Sequence, residues 1–399
     1  MLLGIDRLLS QPNLTKSLAG RRVALLAHPA SVTRHLEHSL DALMRTDLDI
    51  TAAFGPQHGM RGEKQDNMVE SKDYVDPVHG IPVFSLYGKV RRPTTAMLDT
   101  FEVMLFDVQD LGCRIYTYIT TLLYMMEACA EHGKSLWVLD RPNPAGRPIE
   151  GMLCQDEWQS FVGAGRIIMR HGLTIGEMAR WFMKYHRLDL DLTVIRMEDY
   201  EPFRGPGYGW PFGKLPWVNP SPNASSLNMA RCYAGTVLLE GTTLSEGRGT
   251  TIPLEVAGAP DIDIAKILQA MWELAPQWLR GVRIRPCYFE PMFHKHAEKL
   301  CQGFQLHTDS PDYDHLQFKP YRLIILFLKA LRQCHPDYPL WREFTYEYET
   351  ERLAFDLING GDRVRQWIDD PHADIESLEA QFEADENQWR DMIDDIVIY

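Results

Sequence analysis

The chain has 399 residues, 45% hydrophobic and 24% charged, with a formal net charge of −14. This is the composition of a folded globular protein with room for two domains. Its acidity speaks against nucleic acid or an anionic membrane as the main partner. The seven cysteines (113, 129, 154, 232, 287, 301 and 334) show no Cys-x-x-Cys spacing, which argues for a reducing compartment without a disulfide framework or zinc site. The opening Met-Leu-Leu-Gly-Ile-Asp-Arg lacks the basic-then-apolar pattern of a leader, and no apolar run reaches membrane-span length. A cytoplasmic location with no membrane partner is therefore expected.

Leu8 to Gly20 reads as a short helix and turn, and Arg22 to His28 as a first buried strand. Helical spacing over His35 to Arg45 precedes a second strand, Leu48 to Phe54. Pro82 to Tyr87 is a strand, Thr94 to Thr100 a short helix, and Val103 to Phe106 a strand. A helix then runs through Leu122 and Met126 to the stop at Gly133. Ser135 to Leu139 is the next strand and Phe161 to Met169 is extended. Thr174 to His186 is an amphipathic helix with Thr174 and Glu177 in a capping-box pattern, and Leu192 to Met197 is a further strand.

Strands alternating with helices at this interval predict an α/β fold, a Rossmann-like doubly wound parallel sheet over residues 1–205. Residues 206–223, dense in Gly, Pro and Trp, read as an ordered crossing segment. Residues 224–399 read as a smaller α+β domain. Its elements are helices at Leu227 to Tyr233, Ile264 to Ala275 and Tyr321 to His335, strands at Val282 to Tyr288 and Phe304 to Thr308, and a closing helix at Ser377 to Ile396.

Three strand ends carry polar clusters. They are Gln57, His58, Arg61 and Glu63; Asp107, Gln109, Asp110, Arg114 and Tyr116; and Asp140, Arg141 and Asn143. Ligands of open α/β sheets bind at the carboxyl ends of strands, so these clusters are expected to gather at one edge. Any single aspartate there can instead cap a helix or pair with Arg114. The segment 240–251 is expected to face that edge. In it Glu240 and Glu246 flank a Thr/Ser run, and Arg248 stands between two glycines where backbone can approach a ligand closely.

No Gly-x-Gly-x-x-Gly follows the first strand, and neither a Walker loop nor a Gly-x-Ser-x-Gly elbow occurs. Dinucleotide, nucleotide and serine-hydrolase chemistry are thus unsupported, and no cofactor is expected. His58 and His171 lie near Arg61 and Arg170 without metal-ligand spacing, so no metal is expected. What remains is carboxylates beside Asn, Gln, Arg, Tyr and Trp. That is the composition of carbohydrate sites, where polar groups take hydroxyls, ring faces take sugars and carboxylates do acid–base work.

The stretches Phe54-Gly-Pro-Gln-His-Gly-Met-Arg-Gly62, Phe84-Ser-Leu-Tyr-Gly88, Phe106-Asp-Val-Gln-Asp-Leu-Gly-Cys-Arg-Ile-Tyr-Thr-Tyr118, Leu139-Asp-Arg-Pro-Asn-Pro144, Arg170-His-Gly-Leu-Thr-Ile-Gly-Glu177, Pro220-Ser-Pro-Asn223 and Leu239-Glu-Gly-Thr-Thr-Leu-Ser-Glu-Gly-Arg-Gly-Thr250 together resemble the DUF1343 family, also called the NamZ exo-β-N-acetylmuramidase family. The resemblance spans nearly the whole chain. It implies an active site in a cleft between a Rossmann-like domain and a smaller C-terminal domain, and release of terminal N-acetylmuramic acid from peptidoglycan fragments. The family pattern has Glu, its proposed catalytic group, where this chain has Gln57, and an amide cannot exchange a proton as a carboxyl does.

The catalytic role is therefore expected to fall on Glu63 first, with Asp107, Asp110 and Glu246 as the other candidates. Substrate contacts are expected from Gln57, His58, Arg61, Gln109, Arg114, Tyr116, Asp140, Arg141, Asn143, Arg170, His171, Asn223, Glu240 and Arg248. One of Arg61, Arg114, Arg141 or Arg248 would meet the lactyl carboxylate. The expected partner is an amino-sugar or muropeptide substrate. The competing reading is a sugar-binding or regulatory relative that has lost the family's acid.

Overall fold

The computed structural model describes residues 1–62 and 69–399. The N-terminal domain is built on a seven-stranded sheet. Its strands are β1 (Arg22–Ala27), β2 (Asp49–Gly55), β3 (Tyr74–Val75), β4 (Pro82–Ser85), β5 (Val103–Asp107), β6 (Ser135–Leu139) and, after a separate antiparallel pair β7 (Glu150–Leu153) and β8 (Ile168–Arg170), β9 (Leu192–Ile195). The order is β3-β4-β2-β1-β5-β6-β9. All neighbours are parallel except the edge pair β3 and β4.

The uninterrupted apolar runs of β5 and β6 are buried at every position, as strands covered on both faces must be. Successive residues serve opposite layers. Val23, Leu25 and Ala27 pack with Ile5, Leu8 and Leu43 on one face. Ala24 and Leu26 join the other face with the helices Tyr118–Glu131 and Ile175–Tyr185. That second core continues without a break into the C-terminal domain. Thr174 caps its helix and Glu177 closes the capping box, as the sequence predicts.

The C-terminal domain holds an antiparallel sheet of β10 (Val256–Ala259), β12 (Cys301–His307) and β11 (Arg283–Phe289), in that order, covered by the helices Ile264–Leu274 and Pro320–Cys334. The closing helix, Ile375–Ile393, packs back on β7. The Tyr399 hydroxyl then donates to Asp140 at 2.7 Å, so the second domain clasps the first. Among the described residues no helix is long and apolar enough to cross a membrane.

Several elements differ from the sequence reading. The helix over His35 to Arg45 shrinks to Ser39–Leu43, because the His38 side chain caps it and His38 itself bridges to Val32. Only Ile168–Arg170 of the extended stretch joins a strand. β10 escapes sequence reading because it is four residues long and contains Gly258, where a side chain would collide with the Gln302 carbonyl across the sheet. The helices Ala354–Asn359 and Arg363–Asp369 were also not legible.

Candidate active site

The loops after β2 and β5 face the start of the C-terminal domain across a cleft that holds about 520 Å³ of empty space, its open mouth included. From the N-terminal domain come Gln57 and His58, on the turn that ends β2, and Ile115 to Tyr118, where the chain enters the helix Tyr118–Glu131. Ser221 and Asn223 line one side. The opposite wall is Tyr233, Glu240, Arg248, Tyr346 and Glu347. Tyr116 packs edge-on against both Tyr118 and Tyr233, with ring centroids 4.6 and 5.8 Å away, and so ties the walls together.

Gln57 is held at both ends of its amide. The Thr117 hydroxyl donates to Gln57 Oε1 at 2.6 Å, and Gln57 Nε2 donates to Glu347 Oε1 at 3.2 Å. The Tyr87 hydroxyl donates to the other Glu347 oxygen at 2.7 Å. Burial raises the Glu347 carboxyl above its usual range and the Glu240 charge adds to this, while the Tyr87 and Gln57 donors and the Arg91 charge pull it back.

Glu347 and Tyr348 occupy the two central positions of a tight turn closed by paired hydrogen bonds between Tyr346 and Glu349. Both have positive φ, 46° and 72°. Turns of this type favour Asn-Gly, because side chains crowd the backbone there. His58, across the cleft, also has positive φ, 72°.

Glu240 accepts from Arg248 at 2.5 Å and from the Tyr346 hydroxyl at 2.9 Å. Arg248 is in turn held by Glu246 at 3.1 Å. Glu246 is fully buried behind it and also pairs with Lys295 at 2.6 Å and with His294 at 3.5 Å. Burial alone would raise the Glu246 carboxyl, but the Lys295, Arg248 and His294 charges outweigh it and hold it at about 2. The glycines beside Arg248 serve packing within the protein. Gly249, at φ +88°, lies against the Phe293 backbone, which a side chain would strike.

Of the expected site residues, the structure brings Gln57, His58, Tyr116, Asn223, Glu240 and Arg248 together on the cleft. Glu63 lies outside the described residues. The others are elsewhere. Asp107 is completely buried and accepts from Arg141 at 2.6 and 2.9 Å and from Ser39. Gln109 donates to the carbonyls of Asp110 and Pro142, and Asp110 accepts from Gly112 at 2.6 Å and faces His171 at 3.2 Å. Asp140 takes donors from Arg141, Gly176, Thr174 and Tyr399.

Asn143 bridges the carbonyls of Gly146 and Leu173. Arg114 reaches the carbonyls of Met152, Ile167 and Ile358, and Arg170 those of Phe318 and Ala145. Arg61 pairs with Asp41 and Asp76 in a separate surface groove. Among the described residues no cluster of His, Cys, Asp and Glu is arranged to hold a metal ion.

Two family models together match residues 23–399. One is described as Exo-beta-N-acetylmuramidase NamZ, N-terminal (residues 23–228) and the other as its C-terminal counterpart (residues 231–399). The chain belongs to the NamZ family. It is 40% identical over 353 residues to Peptidoglycan beta-N-acetylmuramidase NamZ of Bacillus subtilis (strain 168), an overlap of 88% of this chain and 81% of that protein. Two crystal structures of DUF1343 family proteins from Bacteroides fragilis NCTC 9343 share its fold over 100% of this chain and 98% of theirs. Their TM-scores are 0.84 and 0.76, at 30% and 24% identity.

NamZ membership makes the chain a glycosidase. It also focuses attention on the cleft residues that sequence reasoning missed, Glu347 above all. Glu347 sits in a stretch, Phe344 to Thr350, that matches no motif and lies far from the strand ends. Its one local signal was Glu-Tyr at the centre of a turn that prefers Asn-Gly, and the turn itself could not be seen without the fold.

Proposed function

We propose that this chain is an exo-acting β-N-acetylmuramidase, releasing terminal N-acetylmuramic acid from peptidoglycan fragments by carboxylate acid–base catalysis in the cleft between its domains. The observation that carries this reading is the make-up of the cleft. Two carboxylates, Glu240 and Glu347, share it with the amides of Gln57 and Asn223, the hydroxyl of Ser221 and the rings of Tyr116, Tyr118, Tyr233 and Tyr346. Amides and hydroxyls suit the sugar's ring substituents, tyrosine faces suit its apolar face, and Arg248 places a guanidinium on the wall that would meet the lactyl carboxylate. The named activity of the Bacillus subtilis relative supports the same substrate. A cytoplasmic setting is part of the proposal, since all seven cysteines are unpaired.

Incubation with a disaccharide bearing N-acetylmuramic acid at its non-reducing end, beside one ending in N-acetylglucosamine, tests this. Free N-acetylmuramic acid from the first and no sugar from the second is expected. A melting temperature raised by N-acetylmuramic acid without hydrolysis of either disaccharide would mean a binding protein instead.

A further inference from the structure

Resting on that reading, we propose that Glu347 is the proton donor to the glycosidic oxygen, presented by a turn whose backbone is strained in order to present it. Three independent observations converge. The first is place. Of the carboxylates named on the cleft wall, Glu240 is engaged by the Arg248 guanidinium at 2.5 Å. Glu347 accepts from the Gln57 side-chain amide at 3.2 Å and from the Tyr87 hydroxyl at 2.7 Å. A tyrosine hydroxyl can donate to a carboxylate or accept from a carboxylic acid by rotating its proton, so this partner tolerates both states of an acid that must lose and regain a proton.

The second observation is strain. A left-handed backbone is disfavoured at a residue other than glycine and persists where the surroundings enforce it. Here it occurs at two successive positions, Glu347 and Tyr348. The turn puts the Glu347 side chain in the cleft, and Tyr348 under the Arg91 guanidinium at 3.9 Å. Asn-Gly would build the same turn more easily, so side-chain placement rather than backbone preference accounts for Glu-Tyr.

The third observation is environment. Glu347 is partly withdrawn from water, and among the described residues the titratable and charged groups around it include Tyr87 and Arg91 from the β4 side, His58 across the cleft, and Glu240, Tyr346 and Tyr348 from its own domain. Burial and the Glu240 charge favour its protonated form.

In the step itself the bond from the anomeric carbon to the glycosidic oxygen breaks. Its electron pair stays on the departing oxygen, which takes the Glu347 proton. Water adds its hydroxyl to the anomeric carbon and releases one proton, which replaces the one given up.

The test compares two aryl β-N-acetylmuraminides. One has a poor phenolic leaving group that needs protonation; the other has a dinitrophenolate that leaves without it. For Glu347→Gln, turnover of the first is expected to fall by roughly 10²–10⁴-fold, turnover of the second by far less, and the basic limb of the pH profile to vanish. Glu347→Asp, which keeps a proton, should recover part of the rate on the poor substrate and retain the basic limb. Equal losses on both substrates, or a pH profile unchanged in Glu347→Gln, would overturn the assignment while leaving the muramidase reading intact. Wild-type protein that turns over neither substrate would overturn both.

Discussion

Two regions of this molecule are rich in acids, amides and arginines at strand ends, and they differ in where their polar atoms are directed. Behind β5 and β6, Asp107, Asp140, Arg141, Gln109 and Asn143 are buried and direct their polar atoms at one another and at backbone carbonyls. The crevice where the strand order reverses, between β1 and β5, is closed by the same kind of contact. The Gln109 backbone N–H donates to His28 Nε2 at 2.8 Å, and the Ser31 hydroxyl donates to the Asp107 carbonyl.

In the cleft, Glu347, Gln57 and Glu240 are hydrogen-bonded too, but they line open space. A strand-end cluster is therefore not a site by composition alone. The first region uses its polar groups to weld loops, where an orphaned partner costs much, and the second leaves capacity for a ligand.

The contrast can be broken at its strongest point with Arg141→Met. Removing the guanidinium leaves the Asp107 carboxylate buried without its charge partner, which costs about 3–5 kcal/mol. Urea unfolding should show that loss, while the kcat of the folded fraction stays near the wild-type value, because neither residue lines the cleft. A large fall in kcat with unchanged stability would place the welded region in the catalytic machinery.

Glu246 sits at the boundary between the two regions, welded itself but holding a cleft residue. Its folded-state value of about 2 lies below the ordinary 4.5. Its contribution to stability is therefore present above about pH 4.5 and is lost as pH falls toward 2, on the order of 3 kcal/mol in all. Denaturation of wild type and Glu246→Gln across pH should show a gap that is widest at neutrality and closes in acid. A constant gap would mean that the Lys295 and Arg248 pairs contribute little.

The smallest effect sharpens the cleft side. Replacing the strained pair by Glu347→Asn with Tyr348→Gly should raise stability by about 1 kcal/mol, read as an increase in urea midpoint, while abolishing hydrolysis of substrates with poor leaving groups. Lower stability would show that the side chains of Glu347 and Tyr348 hold the turn rather than the reverse.

Local sequence determined a good deal of this protein. The alternation of apolar runs with amphipathic stretches specified the parallel sheet. Thr174 and Glu177 marked their helix start, and the motifs around Gln57, Asp107 and Glu240 marked the family. The loops that reach the cleft were legible for a simple reason: Gln57 and His58 lie just past β2 and Tyr116 on the loop after β5, and strand ends are where an open sheet presents its loops.

What only the tertiary structure decided is which polar groups are already satisfied. Asp107 closes β5 and Glu347 sits at the centre of a tight turn, and both are carboxylates. One meets Arg141, which lies 34 positions away, and the other meets Gln57, 290 positions away. Hydrogen-bond capacity is consumed by neighbours in space, and no periodicity or spacing in the chain records those neighbours.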